Sequence, residues 1–127
     1  METSKEKEKK PELPNCFSYS GDKKTILQYT GDDSHVLIPE DIITIGDGAF
    51  KNKKIKSVSL PKSLQCIGHY AFCNCKLLTS IEIPDNCTAI GDYAFKGCRN
   101  LTAIEITNVK RIGKGACDFT AICLKQK

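Results

Sequence analysis

A short alternation of apolar and polar residues recurs along the chain. In the clearest copy, Ile81 and Ile83 are separated by a polar residue and followed by Pro84. Apolar side chains at every second position predict a strand with one buried face, and a proline ends the strand because it has no N–H for the ladder. The same alternation recurs at Val36 and Ile38, Val58 and Leu60, Ile104 and Ile106, and Ile122 and Leu124.

A second pattern, Ile-Gly followed two residues later by Ala-Phe, keeps the same step. Its glycines, Gly46, Gly68, Gly91 and Gly113, lie 22, 23 and 22 residues apart. We expect a tight turn at each Ile-Gly, with the glycine supplying backbone freedom. One or two helical turns should follow, capped in one copy by Asp92, and should bury the Ala-Phe pair. Two stacked ladders are predicted, an aromatic one of Phe50, Phe72 and Phe95 and an aliphatic one of Ile45, Ile67, Ile90 and Ile112.

A fixed period of this length is the signature of a solenoid, in which one supersecondary unit stacks on copies of itself. The predicted fold is an α/β solenoid with a parallel sheet on one face and short helical turns on the other. Before the first repeat, residues 17–22 and 25–29 predict a β-hairpin that covers the exposed edge. At the other end Cys117 replaces the phenylalanine, and an uncovered last strand would permit self-association through its edge.

The predicted organisation is a tail and one domain. Residues 1–14 alternate lysine and glutamate beside prolines, which is typical of a disordered tail. Residues 15–127 form the domain, with the hairpin at about 16–33 and the repeats at about 34–124.

The charge and hydropathy of the chain limit the classes of partner that it is expected to bind. The net charge is +4, and the acids of the tail nearly cancel its lysines, so we predict no nucleic-acid partner. No apolar run approaches the roughly 18 residues of a membrane span, so no membrane insertion is expected. Without a signal peptide the expected location is the cytoplasm, where the eight cysteines would be free thiols.

The repeated pattern L-T-x-I-x-I-P-x-x-x-x-x-I-G-x-x-A-F-x-x-C resembles the BspA-like leucine-rich repeats. Residues 78–98 and 55–75 carry it most completely, residues 25–39 resemble the family's lead-in, and the resemblance covers roughly residues 16–124. It implies a curved right-handed leucine-rich-repeat coil with a binding role. Members in bacteria and parasitic protists are mostly surface adhesins, and protist members often lack a signal peptide. A cell-surface location by a non-classical route is therefore the alternative to the cytoplasm.

The outward-pointing residues of the predicted strands, with those at the strand starts, are the expected ligand surface. They are His35, Leu37, Lys56, Ser57, Ser59, Thr79, Ser80, Glu82, Thr102 and Glu105. This surface is polar and has no aromatic anchors, which argues against a tight interface. Two interpretations stay open: an ordinary solvated sheet face, or a weak, protein-directed contact surface, which is our hypothesis. Two functions follow: a surface or adhesion module, or an intracellular adaptor that mediates protein assembly.

Other chemistry has less support in the sequence. Cys73 and Cys75 are too close for the usual zinc spacing, and His69 adds a single donor. A Cys73–His69 nucleophile pair would have no evident third group. Cys75 and Cys98 occupy one repeat position and are predicted to stack as small buried hydrophobes. The sequence therefore predicts no catalysis, no metal site and no cofactor.

Overall fold

The chain winds into stacked coils, and each coil contributes two short strands. The computed structural model describes residues 14–106, 108–116 and 122–124. The strands are β1 (Phe17–Tyr19), β2 (Thr25–Tyr29), β3 (His35–Leu37), β4 (Thr44–Ile45), β5 (Ser57–Ser59), β6 (Cys66–Ile67), β7 (Ser80–Ile81), β8 (Ala89–Ile90), β9 (Ala103–Glu105), β10 (Arg111–Ile112) and β11 (Ile122–Leu124).

One parallel sheet has the order β3-β5-β7, and β9, which pairs in parallel with β11, lies beside β7. In register, Val36 faces Val58 and Val58 faces Ile81 across the strands. These three side chains and Ile104 are buried, which confirms the predicted inward face of the strands. Leu60 and Ile83, predicted to point the same way, are half-buried against the core. The strands end before the prolines, as expected from the missing proline N–H.

The Ile-Gly steps form a second sheet that the sequence did not predict. Its order is β1-β2-β4-β6-β8-β10, and all pairs after β1–β2 are parallel. The expected role of the glycine was also wrong, because Gly46 and Gly91 lie outside the positive-φ region. A Cβ on Gly91 would lie 2.6 Å from the backbone nitrogen of His69, and one on Gly46 would lie 2.7 Å from the carbonyl oxygen of Ile26. Glycine is needed there because neighbouring coils approach closely.

The expected helical turns are not helices: the described residues contain turns and strands only. Tyr70 and Asn74 have φ of 58° and 61°, and a positive φ every fourth residue interrupts any helix. Between these two residues, successive backbone N–H groups alternate between two kinds of acceptor. One donates to a carbonyl in the same turn, as Cys73 does to Tyr70, and the next donates to a carbonyl of the adjacent coil, as Phe72 does to Ala94. Asp92 does not cap a helix either, since its Oδ1 accepts the N–H of Lys114 in the next coil at 2.9 Å.

The aromatic ladder is confirmed. The ring centroids of Phe50 and Phe72 lie 5.0 Å apart and those of Phe72 and Phe95 lie 5.4 Å apart, and all three side chains are fully buried. The aliphatic ladder is confirmed for Ile45, Ile67 and Ile90, which are buried. Ile112 is in register with Ile90, as predicted, but is 38% exposed. Ile112 lies on β10, and none of the residues that the structure describes adds a strand to the sheet beyond it.

β1 and β2 pair antiparallel, and β2 pairs with the first strand of the second sheet. Phe17 and Tyr29 of this hairpin are buried, and the Tyr29 ring stacks on Phe50 at 5.2 Å. The aromatic ladder therefore continues into the hairpin. Two predictions lie outside the described residues: the disordered tail before Pro14, and the changed repeat around Cys117. For β11 the structure describes the backbone alone, so burial of Ile122 and Leu124 stays a prediction.

Candidate functional site

The sheet β3-β5-β7 turns one row of side chains inward and the other outward. We call the outward surface the sheet face; it is formed by His35, Leu37, Ser57, Ser59 and Ser80, with residues flanking the strands. It borders a shallow concavity of about 1390 Å³. Because the inward row already fills the core, the solenoid's own packing does not use this surface.

The structure brings most of the predicted residues together there. His35, Ser57 and Ser80 occupy equivalent positions on three neighbouring strands, as do Leu37 and Ser59 on two. Lys56, Thr79 and Thr102 are exposed just before their strands, and Glu82 is exposed just after β7. Glu105 lies in β9, and the structure describes only the backbone of this residue. That these residues bind a ligand stays a prediction.

Two features of the sheet face differ from a uniformly solvated row. Leu37 is 71% exposed, the highest value among the large hydrophobic residues of the described part. Ser57 is half-buried, and its Oγ lies 2.7 Å from Nδ1 of His35. A serine–histidine pair is also part of a nucleophilic triad, but no described carboxylate lies within ion-pair distance of His35 to orient the imidazole. As it stands, the pair offers hydrogen-bonding groups to a ligand.

The sequence did not single out the floor of the concavity beyond the strand ends. Lys62, Asp85, Asn86 and Asn108 line it, each following a proline or the equivalent position of its coil. Asn86 Nδ2 donates to the Lys62 carbonyl at 3.0 Å, and Asn108 Nδ2 donates to Asp85 Oδ1 at 3.1 Å. A pattern in the sequence could have identified these residues, because exposed polar residues one to two positions after each strand-ending proline must lie beside the sheet face.

The comparisons with known proteins agree with this architecture. The family model described as "BspA type Leucine rich repeat region" matches residues 23–125 in six copies. The chain belongs to the BspA-type leucine-rich repeat family. No curated protein matches it significantly.

Solved structures are similar to this BspA-type chain over most of its length. A leucine-rich repeat protein from T. pallidum matches with 27% identity and a TM-score of 0.69, and the match covers 84% of this chain and 66% of the T. pallidum chain. A leucine-rich repeat protein from Bacteroides capillosus has 22% identity and a TM-score of 0.70, and the match covers 87% of this chain and 93% of the B. capillosus chain. A leucine-rich cell surface protein from Faecalibacterium prausnitzii has 22% identity and a TM-score of 0.51, and the match covers 85% of this chain and 52% of the F. prausnitzii chain. The latter two show the shared fold alone, and this chain spans about two thirds of the T. pallidum protein and half of the F. prausnitzii protein.

The buried cysteines of this BspA-type chain serve packing. Cys75 and Cys98 are fully buried and confirm the predicted stack, with their Sγ atoms donating to the carbonyls of Phe50 at 3.1 Å and Phe72 at 3.0 Å. The neighbouring Cys98 thiol, together with burial, raises the pKa of the Cys75 thiol far above its ordinary range. Burial raises the pKa of Cys87 to about 11. Neither thiol is a nucleophile near neutral pH.

The metal and nucleophile candidates do not assemble. Cys73 is buried, with its pKa raised by desolvation, whereas His69 is exposed and its Nδ1 accepts the N–H of Asp92 at 2.8 Å. Within the described part of the chain, no group of three potential metal-ligating side chains occurs. The same part contains no helix that could cross a bilayer.

Proposed function

We propose that this BspA-type protein is a non-catalytic module that binds a protein ligand on the sheet face. The observation that carries the proposal is the open sheet β3-β5-β7. Its outward row stays accessible above a shallow concavity, while the inward row closes the core. Leucine-rich repeat proteins generally mediate protein–protein interactions, and this surface is not used by the packing of the solenoid itself.

The chemistry of the sheet face suits a polypeptide. Serine hydroxyls in neighbouring strands, the His35–Ser57 pair and the asparagine amides beyond the strand ends offer donors and acceptors to a backbone. Leu37 offers one apolar contact at the start of the sheet, and Glu82 adds a charge at the other side. Without an aromatic hot spot, we expect a modest affinity that depends on many small contacts.

Of the two settings in which such a module could work, we propose the adhesive one, at the cell surface, on the strength of the family resemblance. One observation favours the intracellular adaptor instead. The six cysteines of the described part, Cys16, Cys66, Cys73, Cys75, Cys87 and Cys98, are unpaired. Free thiols are typical of a reducing compartment.

The binding surface can be tested with a photo-reactive amino acid introduced at Ser59, followed by irradiation in source cells. Cross-linking to a discrete protein is expected, and Ser80→Arg with Glu82→Arg in the same chain should abolish it. The matched control is Ser18→Arg with Asp22→Arg, two exposed residues of the N-terminal hairpin, which should leave cross-linking unchanged. If the control abolishes cross-linking as well, or the first pair does not, the ligand binds elsewhere.

The setting is tested separately. Labelling intact source cells with a membrane-impermeant reagent should modify the protein if it is a surface adhesin. Labelling that requires opened cells would contradict the adhesive role and support the adaptor.

A further inference from the structure

Charge is unevenly distributed along the coils. No aspartate or glutamate occurs in residues 48–81 or 93–104, and together these stretches contain eight lysines and arginines. The acids of the coils lie after the Ile-Gly steps, as Asp47 and Asp92 do, or near the strand ends, as Glu82 and Asp85 do. The part of each coil between the Ala-Phe pair and the next strand is therefore cationic.

Contacts between the coils hold these cations in register. The N–H of Asn52 donates to the Cys73 carbonyl at 2.9 Å, and the N–H of Asn74 donates to the Lys96 carbonyl at 2.7 Å. The side chains continue this alignment, since Asn74 Nδ2 donates to Asn52 Oδ1 at 3.1 Å. Equivalent positions in adjacent coils are therefore separated by about 4.8 Å, the distance between paired strands.

In three consecutive coils, the residue four positions after the phenylalanine of the aromatic ladder is a cation: Lys54, Lys76 and Arg99. All three are exposed. Lys51, Lys53 and Lys96 flank this row, each with its ammonium 5.2–5.9 Å from the centroid of a tyrosine ring. We call these six residues the basic corner.

A depression of about 540 Å³ opens beside this row, lined by Asn52, Lys53, Lys54, Asn74, Lys76 and Leu77. Leu77 is 38% exposed among these polar groups. It has no counterpart one coil earlier, because five residues separate Phe72 from the next buried leucine and four separate Phe50 from Ile55. The extra residue places one apolar contact within a cationic surface.

We propose that the basic corner docks an acidic polypeptide segment. Two or three of its carboxylates pair with Lys54, Lys76 and Arg99, and an apolar residue of the segment packs on Leu77. Charge complementarity selects this partner, and the apolar contact distinguishes it from a simple polyanion. This surface is separate from the sheet face, so the inference goes beyond the proposed function and does not depend on it.

The same surface is poorly suited to nucleic acid. Tyr70 and Tyr93 stack on each other with centroids 5.4 Å apart, so those two ring faces are not free to stack on bases. The row Lys54, Lys76 and Arg99 spans only two steps between coils, about 10 Å, which allows few phosphate contacts. Five of the six cations are lysines, whereas arginine matches a phosphate in a bidentate manner.

The test measures binding of a fluorescent peptide made of glutamates with a central leucine. Its comparators are the same peptide with glutamines in place of glutamates, the all-glutamate peptide, and a single-stranded oligothymidine of similar charge. We expect the first peptide to bind most tightly, and its affinity to fall as salt is raised.

Two variants with the same net charge locate the site. Lys54→Gln with Lys76→Gln and Arg99→Gln should weaken the binding about tenfold, as expected for three exposed ion pairs. Lys24→Gln with Lys110→Gln and Lys114→Gln, all exposed and outside both the basic corner and the concavity, should change it less than about twofold. Leu77→Ala should weaken binding of the leucine-containing peptide and leave the all-glutamate peptide unchanged.

Equal effects of the two triple variants would overturn the proposal, because net charge alone would explain the binding. So would equal binding of the glutamine peptide, or tighter binding of the oligothymidine. An effect of Leu77→Ala on both acidic peptides would rule out its role as the apolar contact.

Discussion

The rings of Phe72 and Phe95 lie parallel, with 1° between their planes and 5.4 Å between their centroids. Phe50 stacks on the other side of Phe72, and Tyr29 of the hairpin stacks on Phe50. The hairpin and three consecutive coils are thus joined through one column of rings. A ring inside this column supports two interfaces between coils, since stacked aromatic pairs contribute beyond the area they bury.

Removing the middle ring should weaken both interfaces. Phe72→Ala is expected to lower the free energy of unfolding by about 3–5 kcal/mol, because it leaves a cavity in a fully buried position. Tyr70→Ala is the control: Tyr70 is also stacked on a tyrosine but is 41% exposed, and we expect a loss of about 1 kcal/mol. Urea unfolding measures both values. Equal losses would show that the buried column is no more important than the surface stack.

The glycine of each Ile-Gly step should tolerate no side chain. Gly91→Ala is expected to lower the free energy of unfolding by about 1–3 kcal/mol, because the new Cβ would overlap the backbone of Gly68 and His69. Gly21→Ala is the matched control, since a Cβ there meets no atom within 4 Å. Thermal unfolding of the two variants tests this. A stable Gly91→Ala protein would mean that adjacent coils can move apart.

The inward faces of the first sheet and the aromatic column could be predicted because each rests on strict repetition of residue type. The second sheet could not. A strand such as Ala89–Ile90 is two residues long, too short for alternation to appear, and it exists because the adjacent coil supplies its partner. The Ile-Gly motif was visible, but the close approach that requires its glycine depends on the stacking distance between coils.

The turns after each Ile-Gly were mistaken for helices for a related reason. Local N–H to carbonyl bonds do occur there, as from Ala71 to Gly68, and spacing alone does not show that every second N–H points to the next coil. The sheet face could be predicted because strand alternation fixes which side chains point outward. The basic corner could not, because its row of cations becomes evident only when the coils are placed in register.

The positive φ of Asn74 leads to a third prediction, in which the variant that loses more side-chain atoms is the more stable one. Asn74→Gly should be more stable than Asn74→Ala by about 1 kcal/mol, because alanine resists the left-handed conformation that glycine adopts freely. Both variants lose the hydrogen bond to Asn52, so their difference isolates the backbone. Chemical denaturation provides the comparison. If alanine is equally stable, the turn does not constrain φ.

Cys87 should make stability depend on pH in the alkaline range. Its buried side chain raises the thiol pKa from 9.0 to about 11. Between these values the unfolded chain releases a proton that the folded chain retains, so unfolding becomes more favourable as the pH rises. The contribution of Cys87 is therefore complete below pH 9 and is lost by about pH 11.

A comparison with Cys87→Ala separates this effect from the titration of lysines and tyrosines. The wild-type protein should be more stable than Cys87→Ala at pH 7, and the difference should shrink between pH 9 and pH 11. Leu64→Ala is the control, because Leu64 is also fully buried but does not titrate, so its difference from wild type should stay constant. A Cys87→Ala difference that is likewise independent of pH would show that the thiol is not desolvated, contrary to its burial between two coils.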